Sequence, residues 1–88
     1  MKFSVYILQS SSTGRFYCGY TSDIDRRIRQ HNDSDYHGSK TTKRFQGPWI
    51  LVWAEQFKLR TNAMKRERQI KKRGNKRFLT DSHVKTAH

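Results

Sequence analysis

Residues 3–20 read FSVYILQSSSTGRFYCGY, and this stretch decides the fold. Phe3, Val5 and Ile7 alternate with Ser4, Tyr6 and Leu8, the two-residue period of a strand. Ser10 to Gly14 is turn material, and Arg15 to Tyr20 is a second short strand rich in aromatic residues. So short an interval between two strands predicts an antiparallel hairpin. Direct pairing of Tyr6 with Tyr17 would project both rings from one face of the sheet, whereas a slip of one residue would separate them.

Downstream, Thr21 or Ser22 is expected to cap a helix that carries Asp23 and Asp25 in its first turn, where the helix dipole favours negative charge. That helix runs to about His31 or Asn32. Residues 33–47 read as a long basic loop ahead of the only proline, Pro48. Trp49 to Phe57 is a third strand, and the run Ile50-Leu51-Val52, apolar on both faces, predicts a central or well-covered position for it. Thr61 or Asn62 is expected to cap a second helix that stops near Arg73-Gly74. Asn75 then caps a short final helix bearing Phe78 and Leu79, and residues 81–88 form a flexible tail. The expected fold class is α/β (α+β): a three-stranded antiparallel sheet flanked by helices, as one domain over residues 1–80.

The composition narrows the partners. A chain of 88 residues makes one domain with a small core, and its net charge of +12 is large for that length. Residues 58–77 alone hold ten Lys or Arg against a single acid, Glu67. Nucleic acid is the polyanion such a charge expects, through phosphate contacts and counterion release. No membrane is expected, because the longest apolar run, Trp49 to Ala54, is far too short to span a bilayer. The single cysteine, Cys18, rules out an intrachain disulfide and fits a reducing cytoplasm, as does the lack of a leader-like segment after Met1-Lys2. The histidines lack zinc-ligand spacing, and no phosphate-binding glycine loop is present.

Two helix positions stand out chemically. On the first helix, Ile24 and Ile28 define the buried stripe, and Arg27 and His31 fall on it too. A guanidinium and an imidazole beside a buried seam either snorkel to water or line a cleft. On the second helix, Glu67 shares a face with Ala63, Met64, Ile70 and Lys71. A carboxylate among apolar neighbours needs compensation. Either an arginine such as Arg68 or Arg27 pairs with it, or it holds one hydrated divalent cation of the magnesium type.

Taken in order, these positions resemble the GIY-YIG nuclease superfamily over roughly residues 2–80, in particular small stand-alone bacterial members related to the N-terminal nuclease domain of the excision-repair endonuclease. Ser4-Val5-Tyr6 stands at the first triplet and Tyr17-Cys18-Gly19 at the second. Arg27 matches the family arginine, His31 a position often held by His or Tyr, and Glu67 the metal-binding glutamate. Ser4, Val5 and Cys18 depart from the family triplets at positions that pack strands.

The resemblance implies metal-dependent hydrolysis of DNA phosphodiesters, with a place in DNA repair or processing. Tyr6, Tyr17, Arg27, His31 and Glu67 would be catalytic, and Glu67 would hold one Mg²⁺ or Mn²⁺ ion. Asn75 is the only late asparagine to match the one that ends the family motif. Lys40, Lys43 and Arg44 on the loop, and Arg66 and Lys72 on the second helix, are the candidates for gripping nucleic acid, DNA in preference to RNA. A monomer suffices for such a site. The alternative is a basic nucleic-acid-binding module that keeps the fold without turnover, and a basic RNA-associated or ribosome-associated protein is a third reading.

Overall fold

The computed structural model describes residues 2–32 and 48–86, with side chains through Asp81. The order of elements is β1 (Phe3–Ser10), β2 (Phe16–Thr21), α1 (Ile24–Asn32), β3 (Trp49–Phe57), α2 (Arg60–Arg73) and α3 (Asn75–Thr86). The three strands make one antiparallel sheet in the order β2-β1-β3. The hairpin closes where Gly14 takes a positive φ of 76°, a left-handed conformation that a side chain disfavours, and its amide donates to the Ser10 carbonyl at 2.9 Å.

The alternation of β1 divides the core in two. Val5 and Ile7 point to one face, where Cys18 of β2 and Ala63 and Ile70 of α2 complete a buried cluster, with Trp53, Phe57, Phe78 and Leu79 packed at its margin. Tyr6 and Leu8 point to the other face, where Trp49 joins them and Ile24 and Ile28 of α1 close over the top. Helix α1 therefore covers one side of the sheet and α2 the other. Burying the apolar side chains of β1 on both faces is the main stabilising contribution, at about 1.5–3 kcal/mol for each large one.

β1, not β3, is the central strand. Ile50, Leu51 and Val52 remain 51%, 41% and 40% exposed on a sheet edge, against the covered position their composition predicts. An edge strand lacks a neighbour on one side, and the pairing of this one is also irregular. Ile7 faces Trp53 but the next residue, Leu8, faces Leu51, so Val52 is an extra residue in β3. The bulge reverses the side-chain alternation, which puts Trp49 in the α1-side cluster and Trp53 in the α2-side cluster although four residues separate them.

The helix ends differ from expectation in detail. Asp23 caps α1, accepting from the Arg26 amide at 3.1 Å, and Thr21 supports it by accepting from the Asp23 amide at 3.1 Å. α2 starts at Arg60 with no side-chain cap, so neither Thr61 nor Asn62 serves as one. It stops at Gly74 (φ 96°), whose amide donates to the Ile70 carbonyl at 2.8 Å. Asn75 is the first residue of α3, not its cap, and that helix runs on to Thr86, beyond the Asp81 boundary read from sequence.

Candidate active site

The register of the hairpin assembles the site. Tyr6 faces Gly19, and Tyr17 faces Leu8, so the two tyrosines are diagonal neighbours on one face and not a direct pair. Their ring centroids lie 6.2 Å apart. Gly19 leaves the space that Tyr6 fills: a Cβ there would stand 2.8 Å from the Tyr6 hydroxyl and 3.2 Å from Cε2 of Tyr17. The glycine of the second triplet is thus needed for close approach, with no positive φ at that position.

Helix α1 delivers the other two groups. Ile24 and Ile28 seat it on the Tyr6 side of the sheet, and the same stripe brings His31 and Arg27 down toward the rings. Buried His31 presents Nε2 to the Tyr6 hydroxyl at 3.0 Å, and its ring centroid lies 4.8 Å from that of Tyr17. Half-buried Arg27 donates from Nη1 to Oε1 of Gln30 at 3.1 Å and hydrogen bonds to Tyr6. Burial raises the Tyr6 phenol well above its usual pKa, and the neighbouring Tyr17 adds to the rise. The hydrogen bond and the charge from Arg27 oppose it without cancelling it. Tyr6 is therefore a protonated phenol at neutral pH.

Asn32 fixes the far end of α1. Its side-chain amide donates to the Trp49 carbonyl at 3.1 Å and its Oδ1 accepts from the Trp49 amide at 2.6 Å, so one side chain binds the start of β3 in the manner of a paired strand. Beside Arg27 an open hollow of about 270 Å³ is lined by Tyr20, Thr21, Ser22, Asp23, Arg26, Arg27 and Gln30. Its arginine side chains suit an anionic group next to the tyrosine cluster.

Four of the five expected catalytic residues, Tyr6, Tyr17, Arg27 and His31, thus meet on one face. Glu67 approaches from the other. It lies on the buried stripe of α2 between Ala63 and Ile70, its side chain 20% exposed, with Lys71 at 3.2 Å as its ion-pair partner in place of Arg68 or Arg27. Met64 and Lys71, expected on the same face, are exposed, so the buried stripe is narrower than its sequence suggests. The neighbour of Glu67 across the layer is Cys18, the residue between Tyr17 and Gly19. Burial pushes that thiol up to about 12, with Glu67 adding to the shift and Lys71 opposing it.

Among the described residues no three metal-ligating side chains converge. The donor available is one sheltered carboxylate beside the edge strand that carries Tyr17. An oxygen donor of this kind suits a hydrated magnesium-type ion completed by water and phosphate oxygens, and does not suit a protein-built cage.

The remaining expected residues are spread over the surface. Lys40, Lys43 and Arg44 lie outside the described residues. Arg66 is a structural clasp: it pairs with Glu55 at 2.9 Å, donates to Gln69 at 3.3 Å and lies over the Phe78 ring at 5.9 Å. Lys72 is exposed. Asn75 sits apart from the tyrosine cluster, on a hollow of about 380 Å³ with Arg15, Phe16, Arg73, Gly74, Lys76 and Arg77, and its Oδ1 is buried without a hydrogen-bond partner. Sequence reading missed Gln30 and Asn32. The placement of Gln30 three residues after Arg27 was a legible signal, whereas the partner of Asn32 lies across the sheet.

The fold has known relatives. A family model described as the GIY-YIG catalytic domain matches residues 2–80. The chain is 42% identical over 67 residues to a UPF0213 protein of Halobacterium salinarum, covering 76% of this chain and 82% of that one. It is 40% identical over 70 residues to a UPF0213 protein of Staphylococcus saprophyticus, covering 80% of each. The solution NMR structure of a UPF0213 protein from Bacillus halodurans superposes with a TM-score of 0.57 at 35% identity, covering 97% of this chain and 86% of that one. No helix among the described residues is long and apolar enough to cross a membrane. Matched over residues 2–80, the chain belongs to the GIY-YIG family, a nuclease superfamily whose substrates are nucleic acids.

Proposed function

We propose that this protein is an endonuclease that hydrolyses DNA phosphodiester bonds with the help of one divalent cation. The observation that carries the reading is the Tyr6 hydroxyl, held 3.0 Å from His31 Nε2 with the positive charge of Arg27 beside it. A phenol with a raised pKa is a poor base by itself, but it can pass a proton along. With neutral His31 protonated on Nδ1, Nε2 accepts the Tyr6 proton while the phenol oxygen takes one from the attacking water. The water oxygen bonds to phosphorus, the bond from phosphorus to the departing sugar oxygen breaks, that oxygen takes up a proton from solvent water, and no free phenolate accumulates.

Arg27 would meet the charge that builds on the phosphate oxygens, its fork oriented by Gln30. Tyr17 would orient the phosphate or the water. Glu67 would hold Mg²⁺ or Mn²⁺, and such an ion, when bound, neutralises charge on the phosphate and the departing oxygen. DNA repair or processing is the setting this chemistry fits.

The test is nicking of supercoiled plasmid by purified protein with Mg²⁺, Mn²⁺ or EDTA, beside Arg27→Ala and Glu67→Ala. Metal-dependent nicking that both variants lose is the expected result. Equal nicking by wild type and variants would mark a contaminant and end the enzyme reading.

A further inference from the structure

Among the described residues the positive charge is divided between the two sides of the sheet. On one side α1 presents Arg26, Arg27 and Arg29 next to the tyrosine cluster. On the other side the charge lies along α2 and α3. The three acids there are each taken: Glu55 by Arg66, Glu67 by Lys71 and Asp81 by Arg73. Lys65, Arg68, Lys72, Lys76 and Arg77 are exposed and have no acidic partner among the described residues.

Lys65, Arg68 and Lys72 follow one another at three and four residues on α2, so they form one stripe. It lies roughly 180° around the helix from the stripe of Ala63, Glu67 and Ile70 that packs on the sheet. From first to last it spans about 10 Å of helix, the length over which one DNA strand sets out roughly three phosphates. At its C-terminal end the stripe opens into a hollow of about 380 Å³ lined by Gln69, Lys72, Arg73 and Arg77, where the chain bends at Gly74. No large apolar residue interrupts the stripe, so it is built for phosphates and not for lipid.

Between this stripe and the Tyr6–His31 pair lie the full width of α2 and the sheet, together about 20 Å. A straight duplex resting on one surface cannot touch the other. We propose that the α2–α3 surface is a second nucleic-acid site, which holds a duplex segment separate from the one presented to the tyrosine cluster, so that one molecule bridges two segments. This inference rests on the nuclease reading only for what occupies the tyrosine side.

The test uses the unaltered full chain in EDTA, which withholds the cation that cleavage needs, and a short DNA duplex of about one helical turn. Native mass spectrometry counts duplexes per protein molecule, and a salt titration gives the slope of affinity. The unaltered chain should take up two duplexes. Adding K65E, R68E and K72E should reduce this to one and shallow the summed salt dependence by about three units of slope, the loss of roughly three phosphate contacts. Glutamine at the same positions should weaken the second duplex without the repulsion that glutamate adds, and circular dichroism of both triple variants should match the parent.

Three results overturn the proposal: one duplex on the unaltered chain, two on the glutamate variant, or none on a folded glutamate variant. Plasmid nicking by the unaltered chain is read separately. Nicking with single-duplex binding refutes this inference alone, and two-duplex binding without nicking refutes the nuclease reading alone.

Discussion

The Tyr6 hydroxyl lies 2.8 Å from the point where a Cβ on Gly19 would stand. The ring cannot retreat, because Tyr6 is 1% exposed and its hydroxyl is bonded to His31. A methyl at position 19 has to displace the ring or part the hairpin. Gly19→Ala is expected to cost about 1–3 kcal/mol by denaturant titration and to abolish nicking. Stability and activity equal to wild type would show that the ring moves freely.

Tyr6→Phe separates the relay from the packing. The ring stays and the hydroxyl goes, so stability should fall by only about 0.5–1.5 kcal/mol, while nicking falls by roughly 10²–10⁴. His31→Gln should lose a similar share of the rate. Because the two residues act as one path for the proton, the double variant should be little slower than either single one. Multiplicative losses in single-turnover rates would break the relay.

Arg27 depends on its fork. Arg27→Lys keeps the charge but not the two-point geometry, and is expected to lose most of the roughly 10²–10³-fold that Arg27→Ala loses. Gln30→Leu leaves the guanidinium in place without its acceptor and should fall between wild type and Arg27→Lys. A Gln30→Leu variant as active as wild type would remove Gln30 as a positioning residue.

Glu67→Gln tests the cation. The ion pair with Lys71 is four residues apart and partly exposed, so its loss should change stability by under about 1 kcal/mol. Nicking and calorimetric Mn²⁺ binding should both disappear. Mn²⁺ binding retained by the variant would place the ion elsewhere.

Alkaline pH should loosen the fold. Burial keeps the Cys18 thiol protonated in the folded chain from its ordinary 9.0 up to about 12, and raises Tyr6 above its own ordinary 10.0 in the same sense. Above those ordinary values the unfolded chain has lost protons that the folded chain retains, so stability falls as pH rises. It should be full below about pH 9 and decline from there to about pH 12. Urea titrations at pH 8 and pH 10.5 should differ by roughly 2–3 kcal/mol, and Cys18→Ala should show a smaller difference. Identical curves would mean that neither group stays protonated inside.

The hairpin, the first helix and the place of Arg27 and His31 on its buried stripe were legible because each follows from a period of two or of 3.6 in the residues themselves. What escaped was long-range. The expected Tyr6–Tyr17 pair was a guess at register, and the space at Gly19 set the true one. The apolar run Ile50-Leu51-Val52 argues for a central strand by composition, but strand order is settled by which neighbours β1 finds, and a bulge hides in any sequence without a glycine to mark it. Glu67 was readable as a carboxylate on an apolar stripe. That its helix packs on the face opposite the tyrosines was not, because a helix pattern says which side is buried and never against what.

One consequence follows from the way Asn32 grips Trp49. With both amide groups of that side chain spent on a single backbone residue, the chain leaves α1 and re-enters at β3 through a fixed doorway. The last residue of α1 and the first of β3 are thereby clamped to each other, and the clamp keeps the adjoining His31 ring at its station beside Tyr6.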